Sequence, residues 1–528
     1  MTRLPVIALA ALLIGAAPPE TDNLPAERIH AHVEFLASDL LEGRDTGSRG
    51  HEIAANYVAS EFRQLGLTPG GPGGSWFVRV PFRRATLEGS PKIVLTTGGR
   101  TASLAVGSDV AVRPSISDKQ VSFEAPLVFV GYGISDGRLG IDDYAGLDVR
   151  GKIVVGLGGP APQIPSDIAA HLSSTQAEVA GAHGAIGFIA IDDPASAAGN
   201  VQRFGKRRVV DWVGQTSSIK ARVALSESVA GRIFRGAPMS LQRIRALAAG
   251  RKPIKGFDLP ARLSISVNSA WEDFSSPEVV GILPGSDPKL AAEHIVLAGH
   301  LDHLGIKKDA KPGEDSIYNG ALDNAAGVAT MIEAARAFVT SGKPPRRSIL
   351  FIANTGEEPG MLGADFFVTH PTVPLRQVVA AVNLDMPLLT YDFTDVIAFG
   401  ADHSTIGRTV AEAGREMNVA VSPDPMPQER LFVRSDHYRL VQHGIPSVFL
   451  MTGYSNGGRA AWARYLTFAY HQPGDDLTQP IRWTEGARFA ELNYRIARAL
   501  ANADPRPLWY QGDYFGDSFA PAQPRAER

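Results

Sequence analysis

Cysteine is absent from all 528 residues. No disulfide and no thiolate metal site can form, and thiol-dependent hydrolysis is excluded. A chain of this length buries more than one core without cross-links, so two folded units are expected. A large excess of charge of one sign is also missing. The 52 basic and 55 acidic residues leave a formal net charge of −3, with no basic excess to hold nucleic acid and no acidic tail. No apolar run reaches the length of a bilayer span. Residues 4–17 form a short apolar core ending in small residues, and Met1, Thr2 and Arg3 place one positive charge before it. That is the pattern of a secretory signal peptide, residues 1–17, and it predicts an exported protein, periplasmic or extracellular, without a stable membrane span. There is no Gly-x-Ser-x-Gly elbow for a serine hydrolase, and the glycine-rich run 156–160 lacks the Lys-Ser/Thr ending of a phosphate loop.

What is present falls into segments. Ile29, Val33, Leu36, Ala37 and Leu40, then Ile53, Ala54, Tyr57, Val58, Phe62 and Leu65, recur at helical spacing and predict two amphipathic helices in an N-terminal part, residues 22–85. The polar, glycine-rich stretch 41–50 between them reads as a connector. Residues 76–112 alternate short β-type runs (77–80 and 93–97) with turns, and residues 86–264 form an insert of further strand runs in which no catalytic constellation stands out. From 265 to 503 apolar strand runs (295–298, 348–353, 378–384, 396–399, 447–451) alternate with helical patterns, the last near 485–501. The expected fold class is therefore α/β, a mostly parallel mixed sheet flanked by helices. Residues 504–528, proline-rich and polar with scattered aromatics, read as a tail.

Imidazoles and carboxylates gather where strands end. His300 follows an apolar run, Glu357 and Glu358 follow another, Asp385 a third, and Asp323 opens a helix whose apolar face is Val328, Met331, Ile332, Ala335 and Phe338. Open α/β sheets bind ligands at the carboxyl ends of their strands, so these groups are expected to converge on a metal. Asp302, two residues after His300, shares its face if the strand extends that far, and is expected to accept the ring N–H that orients a ligating histidine.

The motifs Gly299-His300-Leu301-Asp302, Leu322-Asp323-Asn324-Ala325-Ala326-Gly327, Gly356-Glu357-Glu358, Asn383-Leu384-Asp385-Met386 and Tyr470-His471-Gln472-Pro473-Gly474-Asp475-Asp476 resemble, in order, those of the M28 metallopeptidases. Ser435-Asp436-His437-Tyr438 resembles a pocket-lining segment of the same family. The insert resembles the β-rich protease-associated domain that several peptidase families carry. The resemblance implies a zinc exopeptidase fold with two Zn(2+) ions, for which cobalt or manganese can substitute. Asp323 would bridge them, His300 and Asp385 completing one and Glu358 and His471 the other. Glu357 would be the general base, with a metal-bridging hydroxide as nucleophile, and Tyr470 a hydrogen-bond donor to the oxyanion. His303, His437 and His443 are expected in the pocket wall or in the layer behind the ligands. The substrates implied are peptides, cleaved by an aminopeptidase. A carboxypeptidase, a dipeptidase, a glutaminyl cyclase-like enzyme and a non-catalytic binding homologue remain the alternatives.

Overall fold

The computed structural model describes residues 24–192, 199–206 and 209–528. The expected leader, residues 1–17, lies outside them. Among the described residues no helix is long and apolar enough to cross a membrane.

Helices α1 (Ala26–Leu36) and α2 (Arg49–Gln64) form where the apolar spacing requires them. They bury Ile29, Val33 and Leu36, and Ala54, Val58 and Phe62, against the catalytic sheet. The first ends earlier than its pattern suggests. Leu40 falls in a 3₁₀ turn and is exposed.

Two long antiparallel strands, β1 (Phe77–Thr97) and β2 (Phe257–Leu283), then organise the chain. The separate short runs expected within residues 77–97 are one strand of 21 residues, continuous through Pro81 and Gly89 because β2 pairs with it along nearly its whole length. At one end the pair belongs to the catalytic sheet. At the other it opens into the insert, where Gln120–Phe129, Ile153–Leu157, Gly187–Ile191 and Ala221–Leu225 run parallel and continue the same sheet. Helices lie between these strands, among them α3 (Ser166–Ser174). The expected boundaries at residues 86 and 264 fall inside β1 and β2.

The catalytic half adds β3 (His294–His300), β4 (Ser348–Asn354), β5 (Val378–Leu384), β6 (Asp395–Phe399), β7 (Ala420–Ser422) and β8 (Ser447–Thr452). Their order is β7-β6-β8-β5-β3-β4-β2, with β8, β5, β3 and β4 mutually parallel. Every residue of β3, β4 and β5 is buried, as strands covered on both faces require. Helices α4 (Ala326–Thr340) and α5 (Trp483–Asn502) pack with α1 and α2 on one face, and a smaller cluster around Phe367 and Leu440 covers the other.

Residues 504–528 do not form a loose tail. Trp509 and Phe515 are buried in the main core, and the Trp509 indole donates to the Gly444 carbonyl at 3.0 Å. The segment also meets the insert. Tyr514 donates to Asp136 at 2.7 Å, and His403 lies between Asp513 of this segment, at 2.6 Å, and Asp167 of α3, at 3.6 Å. The aromatics that look scattered along the sequence are the anchors.

Candidate metal centre

The site is assembled at the carboxyl ends of the parallel strands. His300 is the last residue of β3, Asp385 follows β5 directly, and the turn after β4 carries Glu357 and Glu358. Asp323 lies in an irregular turn, residues 321–325, just ahead of α4. His471 comes shortly after the helix Gly458–Phe468.

Two imidazoles converge on Asp323 from opposite sides. His300 Nε2 is 3.2 Å from Asp323 Oδ1 and 3.2 Å from Asp385 Oδ1. His471 Nε2 is 3.2 Å from Asp323 Oδ2 and 3.3 Å from Glu358 Oε2. All five expected ligand residues therefore meet, and each Asp323 oxygen faces its own histidine. The His300 ring donates from Nδ1 to the Asp302 backbone carbonyl at 3.0 Å, which leaves the Nε2 lone pair aimed between two carboxylates.

The electrostatics are those of a cation site. Burial would depress the His300 pKa, but the Asp385 and Asp323 carboxylates more than offset it and hold the ring well above its ordinary value. Burial would likewise raise Asp323, yet the His300 and His471 hydrogen bonds keep it well below the usual carboxylate range. Glu357 is pushed well above it, by burial first and then by the negative charges of Glu358 and Asp436, against the opposing His300.

Asp302 acts differently from expectation. Because β3 ends at His300, the alternation of faces stops there, and it is the Asp302 main chain that meets the ring. Its buried carboxylate accepts the Thr46 hydroxyl at 2.8 Å and the N–H groups of Glu357 and Glu358 at 3.2 and 3.4 Å. It fixes the turn that presents both glutamates.

His303 does more than line a wall. It is fully buried, its Nδ1 is 2.6 Å from Glu358 Oε1, and with Asp323 and Glu358 it makes a second group able to hold a metal beside His300, Asp323 and Asp385. Glu358 thus stands between two imidazoles. Neither ring nitrogen of His303 nor Glu358 Oε1 achieves hydrogen-bond geometry. Buried donors crowded together without hydrogen bonds are arranged for a cation. Nitrogen and oxygen ligands without sulfur suit zinc, so the residues fit the expected metal. The other two histidines stand apart. Burial lowers the His437 pKa to about 3 among Phe432 and Phe449, and His443 bonds the Arg439 carbonyl at 2.9 Å.

A supporting layer holds these ligands. Asp475 accepts the N–H groups of Leu322 and Asp323. Asn324 donates to the carbonyls of His300 and Leu384 at 3.2 and 2.9 Å, tying β3 to β5. Ser435 donates to Asp385 at 2.5 Å, and Asn354 donates to Asp436 at 2.7 Å. Gly320, at φ +59°, leads into the Asp323 turn, and a Cβ there would meet the Asp323 carbonyl at 2.2 Å and the His303 ring at 2.7 Å.

Sequence reasoning missed Arg44. Its buried guanidinium donates to the carbonyls of Leu36, Leu301, Asn319 and Gly320, pinning the N-terminal segment to the loops on either side of the centre. Burial lowers its pKa to about 10 against the opposing charges of Asp475 and Asp323. The only sequence signal was a Gly-Arg-Asp-Thr run inside an apparent connector.

A cavity of about 250 Å³ opens on the centre. Its wall includes Glu357, Met386, Leu431, Val433, Phe449 and Tyr470. Tyr470 stacks on His471 with ring centroids 4.0 Å apart, and its oxygen accepts from Arg434 at 3.4 Å. Burial and the Asp323 charge raise its pKa, keeping the phenol protonated and able to donate.

Sheet, strand ends and donor set together define an α/β protein with a candidate metal centre at the carboxyl ends of its strands. Residues 278–497, which contain all five expected ligand residues and Glu357, match the model of peptidase family M28. It is similar to "probable leucine aminopeptidase 2" of Aspergillus oryzae, 25% identical over 249 residues, covering 44% of this chain and 47% of that protein. It is also similar to the vacuolar membrane protease of Candida glabrata, 31% identical over 112 residues, 21% of this chain and 10% of the other. The chain thus spans less than half the length of these curated relatives. An aminopeptidase structure from Aneurinibacillus sp. strain AM-1 shares the fold, with a TM-score of 0.51 and 18% identity, covering 94% of this chain and 98% of that one.

Proposed function

We propose that the protein is an exported dinuclear zinc aminopeptidase that removes apolar residues from the N-termini of peptides. The observation that carries this is Asp323 facing His300 through one oxygen and His471 through the other, with Glu357 in the same cavity. His300, Asp323 and Asp385 would hold one ion, and Asp323, Glu358 and His471 the other, with His303 seated against Glu358. Two divalent cations held by these residues would supply a water of lowered pKa and a Lewis acid for the scissile carbonyl.

The chain's own side chains do the rest. Glu357, with its raised proton affinity, takes a proton from the attacking water and returns it to the leaving amine. The Tyr470 hydroxyl donates towards the oxygen that gains charge. Met386, Leu431, Val433 and Phe449 form an apolar wall suited to an aliphatic or aromatic first residue. The names of the relatives support the aminopeptidase reading. The apolar start at residues 4–17 supports export, which N-terminal sequencing of the mature protein tests.

The deciding experiment is hydrolysis of leucyl peptides with free or acetylated N-termini by zinc-loaded protein, with Glu357→Gln as control. Cleavage that requires the free amine is expected. Cleavage of the acetylated peptides at equal rate moves the assignment to a carboxypeptidase, and turnover unaffected by Glu357→Gln overturns the mechanism. Two zinc ions per chain are expected by elemental analysis.

A further inference from the structure

Beside the apolar pocket lies a second cavity of about 440 Å³, and Glu358 lines both. Pro359 lines the second cavity and Gly360 the first, so this short turn is the partition. With the N-terminal residue of a peptide in the apolar pocket and its first bond at Glu357 and Glu358, this cavity is a neighbouring space on the far side of the Glu358–Gly360 turn, open to the leaving-group side. The volume falls within the range of small-ligand sites, roughly 300–1,000 Å³.

The walls come from parts of the chain far apart in sequence. Asp45 and Thr46 belong to the N-terminal loop, Arg84 and Phe274 to β1 and β2, and Lys206 ends a helix of the insert, Asn200–Lys206. Lys307 and Lys308 follow the first strand of a small hairpin, Gly305–Ile306 paired with Ile317–Tyr318. Four cationic side chains therefore meet at one cavity. Arg84 is engaged by Glu272 at 2.7 Å and Lys307 by Glu314. Among the described residues Lys206 and Lys308 have no carboxylate partner. Three carboxylates share the wall, Glu358 of the centre, Asp45, whose main chain bridges to His303, and Asp309 beside Lys308. The apolar floor of Phe274, Leu304 and Pro359 offers contact to a short peptide, and the two lysine amines offer charge at the rim.

We propose that this cavity receives the leaving-group side of short peptides and that Lys206 and Lys308 pair with the C-terminal carboxylate. The inference rests on the aminopeptidase reading and adds a substrate class to it, peptides of a few residues with a free carboxyl end. It also gives the insert a direct part in specificity, through Lys206.

The test compares Leu-Gly-Gly with Leu-Gly-Gly-amide on the zinc-loaded full chain, with leucyl p-nitroanilide, which has no residue beyond the scissile bond, reporting the centre alone. The free acid is expected to be the better substrate by about tenfold in kcat/KM, the scale of one charge-assisted contact, and the gain is expected in KM. In the Lys206→Gln/Lys308→Gln double variant the two peptides are expected to become equivalent, and in the wild type the preference should shrink as salt is raised. Equal use of acid and amide by the wild type, with the arylamide cleaved, overturns the inference and leaves the aminopeptidase reading standing. A preference that persists in the double variant also overturns it. Failure to cleave the arylamide and both peptides overturns the aminopeptidase reading and the inference with it.

Discussion

The Asp475 carboxylate accepts the backbone N–H of Leu322 through one oxygen and that of Asp323 through the other, each at 3.0 Å, while Tyr465 donates to it at 3.1 Å. Asp323, which would bridge the two ions, is therefore held in place through its main chain by this carboxylate. Asp475→Asn places an amide donor against a backbone N–H and should weaken metal binding by about 10- to 100-fold, the usual scale for a group that orients a ligand. Competition against a calibrated zinc chelator measures it.

Glu357→Gln keeps the shape of the cavity and all five ligands. It should retain the metal content of the wild type and lose about 10²- to 10⁴-fold in kcat, the range for a missing general base. Elemental analysis and steady-state kinetics on one preparation separate the two effects.

Chelation should abolish activity and lower the midpoint of thermal unfolding, because Asp323, Asp385 and Glu358 would keep their buried charges without the cations. Free zinc at a thousand times Kd stabilises a folded chain by about 4 kcal/mol per site. Both properties should return together on adding zinc, and a midpoint indifferent to chelator would contradict the assignment.

Thr46→Val removes the hydroxyl that Asp302 accepts and leaves a buried carboxylate one donor short. A loss of about 1–3 kcal/mol in denaturant unfolding is expected. Since Asp302 also holds the turn of Glu357 and Glu358, kcat should fall more than KM rises.

His403 gives a pH-dependent prediction. Burial would lower its pKa, but Asp167 and Asp513 outweigh burial and raise it to about 9. A histidine raised above its unfolded value near 6.5 stabilises the fold fully below that pH, loses the contribution as pH climbs, and has none left above about 9. The shift corresponds to about 3 kcal/mol. His403→Gln should therefore be clearly less stable than wild type at pH 6, and the gap should close by pH 10 in paired denaturant titrations.

The centre was legible in the sequence to the extent that its residues follow apolar strands. His300, Glu357, Glu358 and Asp385 each stand just after a run that could only be a buried strand, and Asp323 just before a helix with one apolar face. Arg44 and Thr46 were illegible, because their partners lie up to 276 positions away and nothing local distinguishes a buried clamp from a polar connector. The role of Asp302 was misread because its face depended on where β3 stops, and strand ends are the least legible feature of a strand. His303 carries no local mark that separates it from His443, yet one is buried against Glu358 and the other sits at the surface. The continuity of β1 was hidden by Pro81 and Gly89, which read as breaks until the partner strand is known.

Both connections of the insert are paired strands, β1 and β2, that also build the sheet carrying the candidate centre. Genetic surgery on this chain is therefore constrained by pairing register. Ala85 and Trp271 face each other across the two strands, so an excision that joins the chain near them with a tight turn preserves the pairing of Phe77 with Val279, whereas cuts at unmatched positions would pull the catalytic sheet out of alignment.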